Sequence, residues 1–343
     1  MTIDTRRALI CVPSVVTMPL RRPVAAVLSA GILLLVVACT ATITGGTSTP
    51  TATSEPPVDS DYPADAVVLD PAHDYGDTYA DGILPVGDEQ WTLTDPAAGT
   101  VYLCRDNFVA DEQAGAQNRG PWFVNDDTEY DLNLKVAIQG TVDWAPELSV
   151  TIDGAERVVA TNDLPDHPTG AFPVGHDDPA KVYDANPNTI SAQDLEYRLT
   201  ASPSYGEPQC MGGEAGVMLT GVSLFNGFDA GGRDAGAWEV QDSCDGHPQN
   251  HGQYHYHTLT SCTEQIGVDT VIGWALDGFP ITGPTVSDGN ILTTSDLDEC
   301  HGLVSSVLID GVAVTTYHYV MTQDFPYSVS CFRATPMQQG PPQ

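Results

Sequence analysis

Residues 254–257 read Tyr-His-Tyr-His, and Tyr317-His318-Tyr319 repeats three of those four letters further along the chain. The protein has nine histidines, and six of them fall between His247 and His318. On a β-strand alternate side chains share a face, so His255 and His257 point the same way, about 6.5–7 Å apart along the strand. Two imidazoles so placed suit one metal ion or one buried polar group. His318 on the second motif and His247, in a Gly-His-Pro turn just upstream, complete a set of four nitrogen ligands. Nitrogen-rich sites suit zinc or copper. Glu239, Asp242 and Asp277 are the carboxylates placed to hold a ligating imidazole in its tautomer.

A competing reading uses the same residues with no metal. Buried imidazoles need partners, and a leftover polar atom costs about 1–3 kcal/mol. A histidine–tyrosine hydrogen-bond network meets that need and only specifies the fold. A third reading, a metal-dependent hydrolase or oxidoreductase, requires an open coordination position. No Gly-x-Ser-x-Gly elbow exists to suggest a serine nucleophile. His251 and His301 lie in polar loops and read as solvated, and His73 and His176 as surface residues. His167, beside a Pro-Thr-Gly turn, is either a ligand or a cap.

The elements that must position these residues are strands. Leu132, Leu134, Val136 and Ile138 alternate with other residues, the pattern of a half-buried strand, and Leu148, Val150 and Ile152 do the same. Asp153-Gly154 and Asp310-Gly311 each stand between two such runs, which predicts two hairpins. In the second, Val312, Val314, Thr316, His318 and Val320 share the more aliphatic face, so His318 is expected inside. Val217–Phe225 and Val271–Leu276 are further strand candidates. Residues 189–199 are compatible with a short helix or with extended chain. With 32 glycines and 26 prolines the loops are long. The expectation is an all-β fold, an irregular sandwich or barrel.

The N-terminus carries an address. Arg21 and Arg22 precede an apolar run, Val24 to Val37, that is short for a membrane span and closes on Val36-Val37-Ala38-Cys39. That closure resembles a bacterial lipobox, which implies lipidation of Cys39 after removal of residues 1–38. Met18 offers an alternative start. Residues 39–62, rich in Thr, Ser and Pro, read as a tether. Residues 63–343 then form one domain outside the cytoplasm, held to the membrane by lipid. The formal net charge is −34, and the leader holds four of only twelve basic residues. Such a surface excludes nucleic acid as a partner.

Cys104, Cys210, Cys244, Cys262, Cys300 and Cys331 remain outside the leader. An even count in an exported chain predicts three disulfides, and no Cys-x-x-Cys spacing supports a thiolate metal site. Fifteen pairings are possible. The working choice joins Cys244 to Cys262 across the Tyr-His-Tyr-His segment, with Cys300–Cys331 and Cys104–Cys210.

Glu239-Val240-Gln241-Asp242-Ser243-Cys244-Asp245-Gly246-His247-Pro248 followed by Gly252-Gln253-Tyr254-His255-Tyr256-His257 resembles the YHYH-domain family. Gly273-Trp274-Ala275-Leu276-Asp277-Gly278-Phe279-Pro280-Ile281, Asp298-Glu299-Cys300-His301-Gly302 and Asp324-Phe325-Pro326-Tyr327 are similar to the same family, as are Asn162-Asp163-Leu164-Pro165-Asp166-His167 and Asn186-Pro187-Asn188. The resemblance covers roughly residues 95–335. It implies an exported protein and brings no catalytic assignment. Two departures stand out: Val320 where many relatives have a fourth histidine, and Ile281-Thr282-Gly283 where relatives often have a tyrosine. A site of four histidines drawn from the two motifs alone cannot form here.

Overall fold

The computed structural model describes residues 62–110, 115–263, 266–287 and 289–337. The leader, Cys39 and all of the tether but Tyr62 lie outside the described residues. Tyr62 belongs to the folded part: its hydroxyl accepts from Tyr317 N at 2.9 Å and its ring packs edge-on against Tyr205.

Eight strands form the central sheet: β1 (Glu214–Met218), β2 (Ser223–Phe225), β3 (Gly246–Pro248), β4 (Tyr254–Tyr256), β5 (Val271–Ala275), β6 (Pro280–Thr282), β7 (Gly302–Ile309) and β8 (Val312–Val320). Their order is β3-β4-β2-β1-β5-β6-β8-β7. The fold is all-β and irregular, with further small sheets around this one and no closed barrel among the described residues.

That order is a palindrome of two four-strand units. In each unit an inner antiparallel pair (β1–β2, β5–β6) is joined by parallel pairing to a Tyr-His-Tyr strand (β4, β8), which an outer strand (β3, β7) flanks antiparallel. The units meet along β1 and β5, which pair antiparallel. The registers match as well. Gly246 faces Tyr256 and His247 faces His255 in the first unit; Gly302 faces Tyr319 and Leu303 faces His318 in the second.

The sequence explains the match. Each unit carries Asp-x-Cys-x-Gly, at Asp242 and at Asp298. Asp242 accepts hydrogen bonds from Cys244 N, Gly246 N and Tyr254 Oη; Asp298 accepts them from Cys300 N, Gly302 N and Tyr317 Oη. The glycine is needed because the first tyrosine lies on it. A Cβ on Gly246 would stand 2.2 Å from the Tyr254 ring, and one on Gly302 would stand 2.3 Å from Tyr317 Oη. The second tyrosine reaches the turn between the inner strands, Tyr256 to Thr220 and Tyr319 to Asp277. Cys244–Cys262 and Cys300–Cys331 each tie this turn to the segment after the Tyr-His-Tyr strand, and Cys104–Cys210 is the third bridge. The expected pairing is the one found.

Several local expectations change. Residues 132–138 are not a regular strand. The Asp131 carboxylate accepts from Asn133 N, a side-chain turn that competes with extended pairing, and Leu132 and Leu134 end exposed. Leu148–Asp153 is a strand, paired with Glu156–Thr161 as Asp153-Gly154 predicts, but its apolar side chains face solvent at the edge of a three-stranded sheet. Its third strand, Leu195–Thr200, settles the residue 189–199 ambiguity toward extended chain. Among the described residues no helix is long and apolar enough to cross a membrane.

Candidate metal centre

His247 on β3 and His255 on β4 are direct cross-strand partners, and His257 follows two residues later on the same face. The three rings contact one another, with centroids 4.5 to 5.5 Å apart, and their ligand atoms lie within 4.8 Å of each other. A short helix, Ala235–Trp238, ends at Glu239 and delivers its carboxylate to the same point. Glu239 Oε2 stands 3.2 Å from His247 Nε2 and 3.3 Å from His257 Nε2. All four side chains are buried, none more than 7% exposed. Phe225, at the end of β2, stacks on His255 and meets His257 edge-on.

Backbone carbonyls face two of the rings. His257 Nδ1 is 2.5 Å from Asn226 O, and His255 Nδ1 is 3.4 Å from Gln253 O. A carbonyl only accepts, so the short contact puts the proton of His257 on Nδ1 and leaves its Nε2 a lone pair. The 3.4 Å contact turns His255 Nδ1 toward a carbonyl without fixing its tautomer. Those two Nε2 atoms are 3.1 Å apart. Glu239 Oε2 and both ring nitrogens of His247 are buried without an aligned hydrogen-bond partner. Leaving such atoms unmet in the interior costs about 1–3 kcal/mol each.

The charges follow from the same geometry. Burial alone would raise the Glu239 carboxyl, but the charge of His247 beside it, then those of His257 and Lys135, hold it down at about 2. Burial works against charge on His247, and Glu239 outweighs it, leaving that ring above the ordinary histidine value. Burial and the neighbouring imidazoles keep His255 well below that value. His257 is also lowered by burial, with Glu239 pulling the other way. Glu239 and His247 thus each favour the charged form of the other.

The other expected site residues lie elsewhere. His318 is fully buried on the second unit, where Thr282 Oγ1 meets its Nδ1 at 2.9 Å and Ser305 Oγ meets its Nε2 at 2.8 Å. It is not part of the His247–His255–His257 group. The repeat explains why. His318 is the counterpart of His255, but Leu303 and Val320 replace His247 and His257, and pack with Val268, Leu292 and Leu297 as a small apolar core. Asp242 and Asp277 serve the turns described above; Asp277 also accepts from Arg333 N and Ala334 N. Glu239, expected as a supporting carboxylate, stands directly against His247 and His257. His301 is not solvated: it is buried, with Nε2 3.0 Å from Thr322 Oγ1. His167 packs on Tyr256 and sits beside the Cys244–Cys262 bridge. His73, His176 and His251 are exposed.

The molecule is thus an all-β, disulfide-closed protein of two like units, with a buried histidine–carboxylate cluster in the first. A family model described as YHYH protein matches residues 196–290, so this part of the chain is similar to that family. The match takes in Glu239, His247, His255 and His257 and stops short of the second Tyr-His-Tyr. No curated protein and no solved structure matches the chain.

Proposed function

We propose that the protein binds one zinc or copper ion on His247, His255, His257 and Glu239, as an exported chain held to the membrane by lipid on Cys39. The observation that carries the metal reading is the 3.1 Å contact between His255 Nε2 and His257 Nε2, with both Nδ1 atoms turned to carbonyls. A proton on His247 answers Glu239 but leaves that contact unanswered. A metal about 2.0–2.1 Å from each of four tetrahedral ligands sets them roughly 3.3 Å apart. The separations of 3.1, 3.2 and 3.3 Å in this cluster fit that spacing. Three imidazoles and one carboxylate, all buried, form a closed donor set, which favours holding a metal over activating water.

A metal-free network is the second reading, favoured by the long Gln253 O contact. There His255 gives up its Nδ1 proton and donates from Nε2 to His257. Equilibrium titration of the metal-stripped protein with zinc or copper separates the two. The metal reading expects one site per chain and at least tenfold weaker binding by His257→Ala. Equal binding by that variant, or none tighter than tens of micromolar by the wild type, favours the network.

A further inference from the structure

A cavity of about 460 Å³ opens beside the first unit and is walled by Leu84, Leu132, Val136, Leu259 and Ile266. Asp242, Asp245 and several hydroxyl side chains share the lining, and its size and mixture of apolar walls with a few polar groups are those of a small-ligand pocket. One amine lines it, Lys135, and the chain contains only one other lysine, Lys181. Lys135 Nζ donates to two neutral acceptors, Gly236 O and Gln241 Oε1, the latter at 2.7 Å. Among the described residues no carboxylate lies within ion-pair distance of it.

We propose that Lys135 captures a small apolar aldehyde or ketone in this cavity as an imine. A neutral amine has two N–H bonds and one lone pair. The two N–H bonds match the two acceptors and leave the lone pair for a carbonyl carbon in the cavity. The Nζ lone pair adds to that carbon and one of the two Nζ protons passes to the carbonyl oxygen, giving a carbinolamine. The C–O bond then breaks, the hydroxyl leaves as water with the remaining Nζ proton, and the C=N bond forms. Amine and carbonyl become imine and water, with no oxidant or reductant consumed.

The electrostatics support this. Burial pulls the Lys135 ammonium down to about 8, against the raising charges of Asp245, Asp234, Glu239 and Asp184. A useful fraction is therefore neutral near pH 7.5. The surrounding carboxylates also favour a neutral carbonyl compound over an anionic ligand. Lys181 differs, since its Nζ is held by Val174 O and Ala185 O and does not line this cavity.

The two lysines form an internal control. The whole protein is incubated at pH 7.5 with hexanal and sodium cyanoborohydride, which reduces an imine to a stable secondary amine. Peptide mass spectrometry then reads the label at each lysine. The expected result is at least tenfold more label on Lys135 than on Lys181. A Lys135→Arg variant with an unchanged melting temperature should lose only the dominant label. Equal labelling of the two lysines, or preference for Lys181, overturns the proposal, and both are read on the wild type without any variant.

Discussion

His255 Nε2 and His257 Nε2 lie 3.1 Å apart in a buried cluster where both Nδ1 atoms face backbone carbonyls. That spacing suits a cation held by both nitrogens, as proposed above, or a single N–H···N hydrogen bond. The same pair of strands in the second unit shows the alternative, an imidazole shared between two hydroxyls with leucine and valine beside it.

The two histidine positions should therefore separate by substitution. Glu239→Gln should weaken zinc or copper binding at least tenfold, because the only anionic donor is lost. His318→Ala should leave metal affinity unchanged and lower stability by about 1–3 kcal/mol, since Thr282 and Ser305 lose a buried partner. Metal titration and denaturant unfolding of both variants check this. A loss of affinity in His318→Ala would contradict the assignment.

Acid should act through the buried rings that the cluster does not use. Burial lowers both His301 and His318 to about 3, well below the ordinary histidine value. The unfolded chain then binds protons that the folded chain refuses. Their contribution is complete above about pH 6.5 and declines as pH falls from there toward 3. His318→Gln should flatten that decline, read as unfolding free energy between pH 7 and pH 4. An identical slope in wild type and variant would count against a neutral His318.

The bridge around the cluster should matter for both fold and site. Cys244–Cys262 spans 18 residues of sequence and encloses His247, His255 and His257. Replacing both cysteines by serine should cost about 2–4 kcal/mol and speed metal release to a chelator. Thiol titration of the denatured wild type should find none of the six cysteines outside the leader free. Two or more free thiols would contradict the three bridges.

Gly246 should not tolerate a methyl group. Gly246→Ala drives a Cβ into the Tyr254 ring and should cost about 1–3 kcal/mol. Gly175→Ala, with nothing within 4 Å of the new atom, is the control. Equal melting temperatures for the two would mean that the tyrosine shifts freely.

Much of this was legible in the chain. The strand period placed His255 and His257 on one face, and the two Asp-Gly pairs placed both hairpins. His318 was expected inside from the aliphatic face it shares with Val312, Val314 and Val320, and it is buried, although Val312 and Val314 themselves are exposed. Its partner was not legible: parallel pairing of β8 with β6 brings Thr282 to it, and no spacing along the chain encodes that contact. Glu239 was visible as a nearby carboxylate, but its direct contact with His247 and His257 depends on a four-residue helix too short to show periodicity. Leu132 to Ile138 misled because an Asx turn at Asp131 overrides alternation. The second Asp-x-Cys-x-Gly, with the repeated Tyr-His-Tyr, was the available sign of the duplication.

The central claim is met most directly by elemental analysis of the protein purified at native metal levels, joined to X-ray absorption at the metal edge. The account predicts close to one zinc or copper per chain, with three nitrogen ligands and one oxygen at about 2.0–2.2 Å. A chain that purifies without metal and takes up none on exposure to zinc or copper would contradict it.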